Sequence, residues 1–372
     1  MRKILIVNVN WVGDAIFSSP IFKALKAAYP RAKISCLAVP RVREILESIP
    51  AIDEIILYDE DGAHRSPLAK LRLIYALSQK HFDAAFLLHR SLTRALLVFF
   101  AGIPRRIGYD AKGRGRFLTR AIKAPDEQTT HRLDYYLNVV ESFGVAVIDR
   151  ASSLAVSIAS ETENRELLER HDIGDKDFLV VVHPGGNWDL KRWPVHHFTR
   201  LIEELMKDGK VNPSISPALK AQGLLRVDSE RRLFRRGMGA VERVKVVISG
   251  SDQDVVLTEA IISGLRRKPV VLAGKVDLKQ LMALMKRADC VVSADSGPLH
   301  IASSVGTSVV GIFGPTRPEI TGPRGSGRAV ILQRDVGCNR RPCYNLECPD
   351  NICMQAVSVK EVLDAVRQFQ DQ

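Results

Sequence analysis

The chain of 372 residues is long enough for two domains of ordinary size, each burying a core of its own. With 46% hydrophobic and 26% charged residues it has the composition of a globular protein, which excludes a disordered or fibrous chain. Lys and Arg outnumber Asp and Glu 54 to 42, so anionic partners are favoured; with 6% aromatics and no helix-turn-helix, RNP or zinc-finger pattern, nucleic acid is not expected among them.

The opening MRKILIVNVNWVGD mimics a signal peptide, but its apolar run is short and broken by Asn8, Asn10 and Asp14. It reads instead as a first β-strand over residues 3–8, continuously apolar as a central parallel strand should be. No apolar run approaches the ~18 residues of a membrane span. A cytoplasmic protein is therefore expected. A helix over residues 15–29 follows the strand. Asp14 stands between the two, placed either to cap the helix or to face a crevice as a general base.

Strands and helices then alternate. Strands are predicted over residues 33–38, 54–58, 82–88 and 106–109, and helices over 41–49, 67–80, 93–101 and 131–143. This is the rhythm of a doubly wound parallel sheet. Between 105 and 120 the chain holds Arg105, Arg106, Lys112, Arg114, Arg116 and Arg120 against one acid, Asp110. With three glycines the segment reads as a mobile basic loop that meets an anionic acceptor or membrane lipid. A polar hinge is expected over residues 160–176.

A second apolar strand–loop unit opens at FLVVVH, residues 178–183, followed by Pro184-Gly185-Gly186 and Lys191. Two glycines let a backbone approach a ligand closely, and Lys191 can offer a point charge to phosphate oxygens. A helix over 195–208 comes next. Residues 211–243 then break the rhythm with two prolines and clustered arginines, and read as an insertion. Beyond it come strands at 246–249 and 270–273 and helices at 255–264 and 278–288.

The stretch CVVSADSGPLHIASSVGTSVVGIFGPTRP, from Cys290 to Pro318, is the strongest signal in the chain. A strand over 290–293 breaks at Asp295-Ser296-Gly297-Pro298. Asp295 or Ser296 is placed to cap a helix over 299–305, and a second strand spans 308–313. A helix starting at the carboxyl end of a parallel strand offers N–H groups and partial positive charge to a phosphate. His300, one turn in, faces the same crevice. A final amphipathic helix is expected over residues 359–369.

Six cysteines complete the inventory. Cys36 and Cys290 read as small buried hydrophobes. Cys338, Cys343, Cys348 and Cys353 are evenly spaced, more loosely than a Cys-x-x-Cys pair; they read as a tied or reduced loop, with four-thiolate zinc as the alternative. The acidic strings Asp59-Glu60-Asp61 and Asp252-Gln253-Asp254 fit a metal-binding DxD pattern that is too short to carry weight.

Two doubly wound domains facing across a cleft have the shape of a GT-B nucleotide-sugar glycosyltransferase. The motifs GDAIFSSP, SLTRALLVFFAGIPRRIG, HPGGNWDLKRWP and SADSGPLHIASSVGTSVVGIFGPTRP, in that order, resemble glycosyltransferase family 9, the ADP-heptose:lipopolysaccharide heptosyltransferases, with the heptosyltransferase II group nearest. The resemblance implies an α/β, GT-B fold with two Rossmann-like domains. These are an acceptor domain over 1–165, a nucleotide-sugar domain over 166–357 and a C-terminal helix over 358–372. It implies inverting transfer of heptose from ADP-heptose to the anionic lipopolysaccharide inner core, with no cofactor and no metal. The site is placed at the inner face of the inner membrane, on its surface. Asp14 matches the general base and Lys191 the lysine that neutralises the diphosphate. Gly185, Gly186, Asp295, Ser296, Gly297 and His300 match the donor site. Arg94, Arg105, Arg106, Lys112 and Arg114 are expected to meet the acceptor. Two alternatives stay open: a GT-B transferase of another nucleotide sugar in surface-glycan synthesis, and a non-catalytic nucleotide-sugar-binding protein. A dinucleotide oxidoreductase is disfavoured, since no GxGxxG follows the first strand.

Overall fold

The continuous apolar runs of the sequence become the buried strands of two parallel sheets. The computed structural model describes residues 1–207, 243–338, 340–343, 345 and 348–370. The chain divides into two units. One holds Met1–Ala155 with Glu319–Ser326, the other Val156–Pro318 with Gly327–Gln372.

In the first unit the strands are β1 (Lys3–Val7), β2 (Lys33–Ala38), β3 (Glu54–Leu57), β4 (Ala84–Leu87), β5 (Arg105–Tyr109) and β6 (Arg120–Ile122), in the spatial order β3-β2-β1-β4-β5-β6. In the second they are β7 (Phe178–His183), β8 (Val244–Ile248), β9 (Val270–Val271), β10 (Cys290–Ala294), β11 (Ser308–Phe313) and β12 (Ala329–Gln333), in the order β12-β11-β10-β7-β8-β9. Every pairing is parallel. Each sheet is therefore the doubly wound arrangement that the alternation predicts. The direction of winding reverses between β1 and β4 in one unit and between β7 and β10 in the other. Such reversals leave a crevice outside the strand ends, where ligands of this architecture sit.

Helices cover both faces of each sheet because their apolar positions recur at helical spacing. In the helix Val195–Lys207 the buried residues are Phe198, Leu201, Ile202 and Leu205, one stripe of four. Where the helix Gly297–Ser304 crosses β11, Gly311 makes room. A Cβ there would press on Ile331, Phe313 and Leu299 side chains at 3.0 to 3.2 Å.

Several expectations are corrected. The single helix predicted over 15–29 is two helices, Val12–Phe17 and Ser19–Ala28. Ser18 ends the first, its hydroxyl bonding Ala15 O at 2.7 Å, and Pro20 sits in the first turn of the second, where its missing N–H costs nothing. Most of the expected polar hinge is the helix Ile158–Glu169, whose Ser157 cap accepts from Ser160 N at 3.1 Å. It reads as polar because few of its residues, among them Asn164 and Leu168, are buried. The edge strands β6 and β12 were not expected. The proposed insertion at 211–243 lies outside the described residues except for Arg243, which pairs with Asp172 at 3.2 Å and Asp177 at 3.3 Å.

Glu319–Ser326 returns to the first unit and is held there. Ser152 N donates to Arg324 O at 2.8 Å, and Ser152 bridges Gly325 in parallel. His131 Nδ1 accepts from Leu133 N at 3.1 Å, which leaves the proton on Nε2 to reach Gly322 O at 2.9 Å. On re-entering the second unit the chain passes Gly327, where a Cβ would sit far inside contact distance of the Thr307 carbonyl. Because that neighbour is backbone, Gly327→Ala is expected to cost about 1–3 kcal/mol, read as a lowered midpoint of urea unfolding.

Candidate active site

At the first reversal, β1 runs through Asn8–Trp11 into the helix Val12–Phe17. This turn is pinned from three sides. Asn8 N donates to Leu37 O at 2.9 Å, Asn8 Oδ1 accepts from Val9 N at 2.8 Å, and Asn8 O accepts from Arg94 Nη1 at 2.9 Å. Arg94 is buried, lies 5.5 Å over the Tyr58 ring and pairs with Glu60 at 3.1 Å. A buried guanidinium must be paired in this way. Arg94, expected at the acceptor, thus holds the β1 turn.

Asp14 does not cap its helix. Trp11 occupies that position, and Asp14 lies in the first turn, half-buried. Its Oδ1 accepts a hydrogen bond from the Tyr136 hydroxyl at 2.9 Å. Burial, reinforced by the neighbouring Asp14 charge, raises the Tyr136 pKa well above its ordinary value, so the phenol remains a donor.

Part of the basic segment turns inward, while Arg105, Lys112, Arg116 and Arg120 stay exposed. Arg114 is buried; its Nε donates to Tyr109 O at 2.8 Å and its Nη1 to His89 O. Burial pushes its pKa down to about 10. Arg106 Nε donates to Phe117 O at 2.6 Å. Of the expected acceptor residues, Arg105 and Lys112 are exposed. His89, following β4, is neutral at pH 7: burial, then the Arg94 and Arg114 charges, lowers its pKa to about 4.

At the second reversal two loops meet. The loop after β7 carries Gly185, Gly186 and Lys191; the loop after β10 carries Asp295 and Ser296 and opens the helix Gly297–Ser304. Asp295 is buried between two partners, with Lys191 Nζ 2.8 Å from Oδ2 and His300 Nε2 3.5 Å from Oδ1. Burial alone would raise its pKa. The His300 hydrogen bond and the Lys191 charge overcome burial and hold it well below the usual carboxylate range. The Lys191 ammonium also lies 5.0 Å over the Trp188 ring. Ser296 is the N-cap by position, but its hydroxyl meets Ser293 Oγ at 3.0 Å instead of a helix N–H. A Cβ on Gly186 would lie 3.9 Å from that of Ser296, and one on Gly185 would collide with the Asp254 carboxylate. Gly186, Lys191, Asp295, Ser296 and His300 therefore stand together, with the positive end of the helix that Gly297 begins.

The acidic strings are engaged in local contacts. Asp59 accepts from Gly62 N and Ala63 N, each at 3.1 Å; Glu60 holds Arg94; Asp254 accepts from Ser251 N at 2.9 Å. Among the described residues no cluster of three or more His, Cys, Asp or Glu could hold a metal ion.

The family model described as glycosyltransferase family 9 (heptosyltransferase) matches residues 70–219 and 234–349. The chain belongs to glycosyltransferase family 9. This family 9 transferase is 26% identical over 349 residues to lipopolysaccharide heptosyltransferase 2 of Salmonella typhimurium, covering 91% of this chain and 90% of that one. It is 25% identical to the protein of the same name from Escherichia coli over the same shares. Among solved structures it is similar to a family 9 glycosyl transferase from Veillonella parvula, with a TM-score of 0.80 and 22% identity over 99% of this chain and 97% of the other. It is also similar to E. coli ADP-heptose LPS heptosyltransferase II, with a TM-score of 0.74 and 21% identity over 100% and 98%. Its fold is accordingly of the GT-B type.

Sequence reasoning missed Tyr136, because 122 positions separate it from Asp14 and nothing local marks it. It also missed the buried pair under the glycine loop, where His183 Nδ1 meets Ser249 Oγ at 3.1 Å. Burial, opposed in part by Asp254, lowers the His183 pKa from 6.5 to about 4. In that window the unfolded transferase binds a proton at His183 and the folded one does not. Stability is therefore expected to fall as pH drops from 6.5 toward 4. Urea midpoints across this range should decline, and less steeply in His183→Gln.

Proposed function

We propose that the protein transfers heptose from ADP-heptose to the lipopolysaccharide inner core, with inversion and without a metal, using Asp14 as general base. The observation that carries this reading is the content of the two sheet reversals in a family 9 chain. One holds a half-buried carboxylate oriented by a phenol. The other holds a cation, a histidine and a helix N-terminus. The likeness to lipopolysaccharide heptosyltransferases over nine-tenths of the chain supports the donor and acceptor.

In the proposed step an acceptor hydroxyl attacks the anomeric carbon from the side opposite ADP. A new C–O bond forms, the bond from carbon to phosphate oxygen breaks, and its electron pair leaves with ADP. Asp14 takes the hydroxyl proton. Tyr136 holds Asp14 Oδ1 and so fixes the orientation of the carboxylate. Lys191 faces the charge that develops on the diphosphate. An ammonium has three donors and Asp295 takes two of them, through Oδ2 at 2.8 Å and its carbonyl at 3.3 Å. Asp295 acts as an anchor for Lys191 and His300, since a buried anion facing the diphosphate would repel it. The Gly297–Ser304 helix end supplies further fixed positive charge. Gly186 lets the backbone approach the donor, while the space at Gly185 is taken by the Asp254 carboxylate.

Arg105 and Lys112, exposed beside the inward-turned Arg106 and Arg114, suit an anionic acceptor. The protein works in this reading at the inner face of the inner membrane, as a peripheral cytoplasmic enzyme. Among the described residues no helix is long and apolar enough to cross a membrane.

The deciding measurement is ADP release from ADP-heptose with a truncated lipopolysaccharide acceptor and chelator present. Acceptor-dependent release is expected for the wild type, unchanged by chelator, with kcat lowered by roughly a hundredfold or more in Asp14→Asn. Loss of activity on chelation would remove metal independence; an active, folded Asp14→Asn would remove the base. Tyr136→Phe keeps the ring and deletes one donor to a charged group. We expect about a tenfold loss in kcat with little change in the KM for ADP-heptose.

A further inference from the structure

The helix Pro67–Ser78 of the first unit, PLAKLRLIYALS, is apolar on both sides. Leu73 and Leu77 point inward, into a core shared with Leu5, Phe82, Ala95 and Val98. Leu68, Leu71 and Tyr75 recur at the spacing of a single helix face, and they are 58%, 61% and 68% exposed. A surface helix ordinarily turns a polar face to water; here Arg72 shares the outward face with three large apolar side chains. The helix Leu92–Phe100 packs into the same core, so it lies on the same side of the sheet. It ends in Phe100, which is 62% exposed. Three large apolar side chains on one helix and one on its neighbour are thus left outward on one side of the unit.

The exposed charge of this stretch is mostly of one sign. Residues 62–120 hold twelve Lys and Arg against two Asp. Lys80, Arg90 and Arg94 are paired with Glu54, Glu127 and Glu60 and Arg114 is buried, while Arg65, Arg72, Arg105, Lys112, Arg116 and Arg120 are exposed. Of the two acids, Asp83 is engaged by the backbone N–H groups of Arg2 and Lys3. Arg72 is exposed on the stripe itself. Cations stand over aromatic rings at its margin, with Arg106 5.1 Å from Phe99 and Arg116 5.0 Å from Phe117. Apolar side chains outward, with guanidinium groups beside them, complement the boundary of an anionic bilayer. There the side chains enter the acyl region and the cations meet lipid phosphates.

We propose that the outward face of Pro67–Ser78, with Phe100, is the surface by which this protein sits on an anionic lipid bilayer. The proposal deepens the peripheral location given above and names the residues responsible. It depends on the patch and its charge, and not on which sugar is transferred.

The test is flotation of the full chain with phosphatidylglycerol-containing vesicles and with phosphatidylcholine vesicles, in the absence of sugar substrates. Binding is expected to the anionic vesicles, at least tenfold weaker to the zwitterionic ones, and reduced by salt. The double variant Leu71→Ser/Tyr75→Ser and the single variant Phe100→Ser should each lose tenfold or more of the binding while keeping the wild-type melting temperature. Arg72→Glu should weaken it in the same direction. Binding that is absent, or unchanged in these variants, overturns the proposal. So does concentration-dependent self-association, read by sedimentation velocity, that the double variant abolishes while vesicles go unbound; the patch would then be covered by a second copy. Release of ADP with a delipidated acceptor should be the same in the double variant as in the wild type. Heptosyl transfer and bilayer docking can thus fail independently.

Discussion

A carboxylate buried between two partners sets the shape of the second unit's loops. Asp295 is almost out of contact with water and yet charged, which requires Lys191 and His300 to stay beside it. The constraint reaches outward from there. Lys191 lies on a loop from β7 and His300 on the helix after β10, so a single charge ties both elements flanking the reversal of that sheet. Removing either partner would leave a buried charge poorly compensated, which is among the most destabilising of local changes. The arrangement also fixes the lysine where a diphosphate would compete for it.

The first unit uses the same winding for a different purpose. Its reversal is flanked by the turn after β1 and the loop after β4, and the buried cation there, Arg94, faces inward to a backbone carbonyl. Arg114 does likewise from the following segment. Both side chains serve as interior struts, which explains how so basic a region can be ordered: part of its charge is spent on the main chain. One fold thus presents an oriented carboxylate at one reversal and a cation with a helix end at the other.

Much of this was legible because parallel strands buried on both faces leave long apolar runs. Residues 178–183 and 308–313 announce themselves as strands without any knowledge of their neighbours. The strands that were missed lie at sheet edges. β6 is three residues long and mostly exposed, so it had no apolar run to show; β12 does carry one, AVIL over residues 329–332, but it is short and only partly buried. The break at Ser18 was written in Pro20, yet an unbroken apolar pattern masked it. The donor loops were legible in kind, since glycines, a lysine and a helix start after a strand have local signatures. Their partnerships were not: Asp295 reads as a cap and proves to be an ion-pair centre, and Tyr136 meets Asp14 through a packing of helices that no short window contains.

The return of Glu319–Ser326 to the first unit has a consequence for how the polypeptide can be divided. The first unit is discontinuous, built from a long piece and an eight-residue piece separated by most of the second. A fragment ending near Ala155 would leave the His131 imidazole and the Ser152 amide without their acceptors. No single cut in the gene yields two self-sufficient polypeptides.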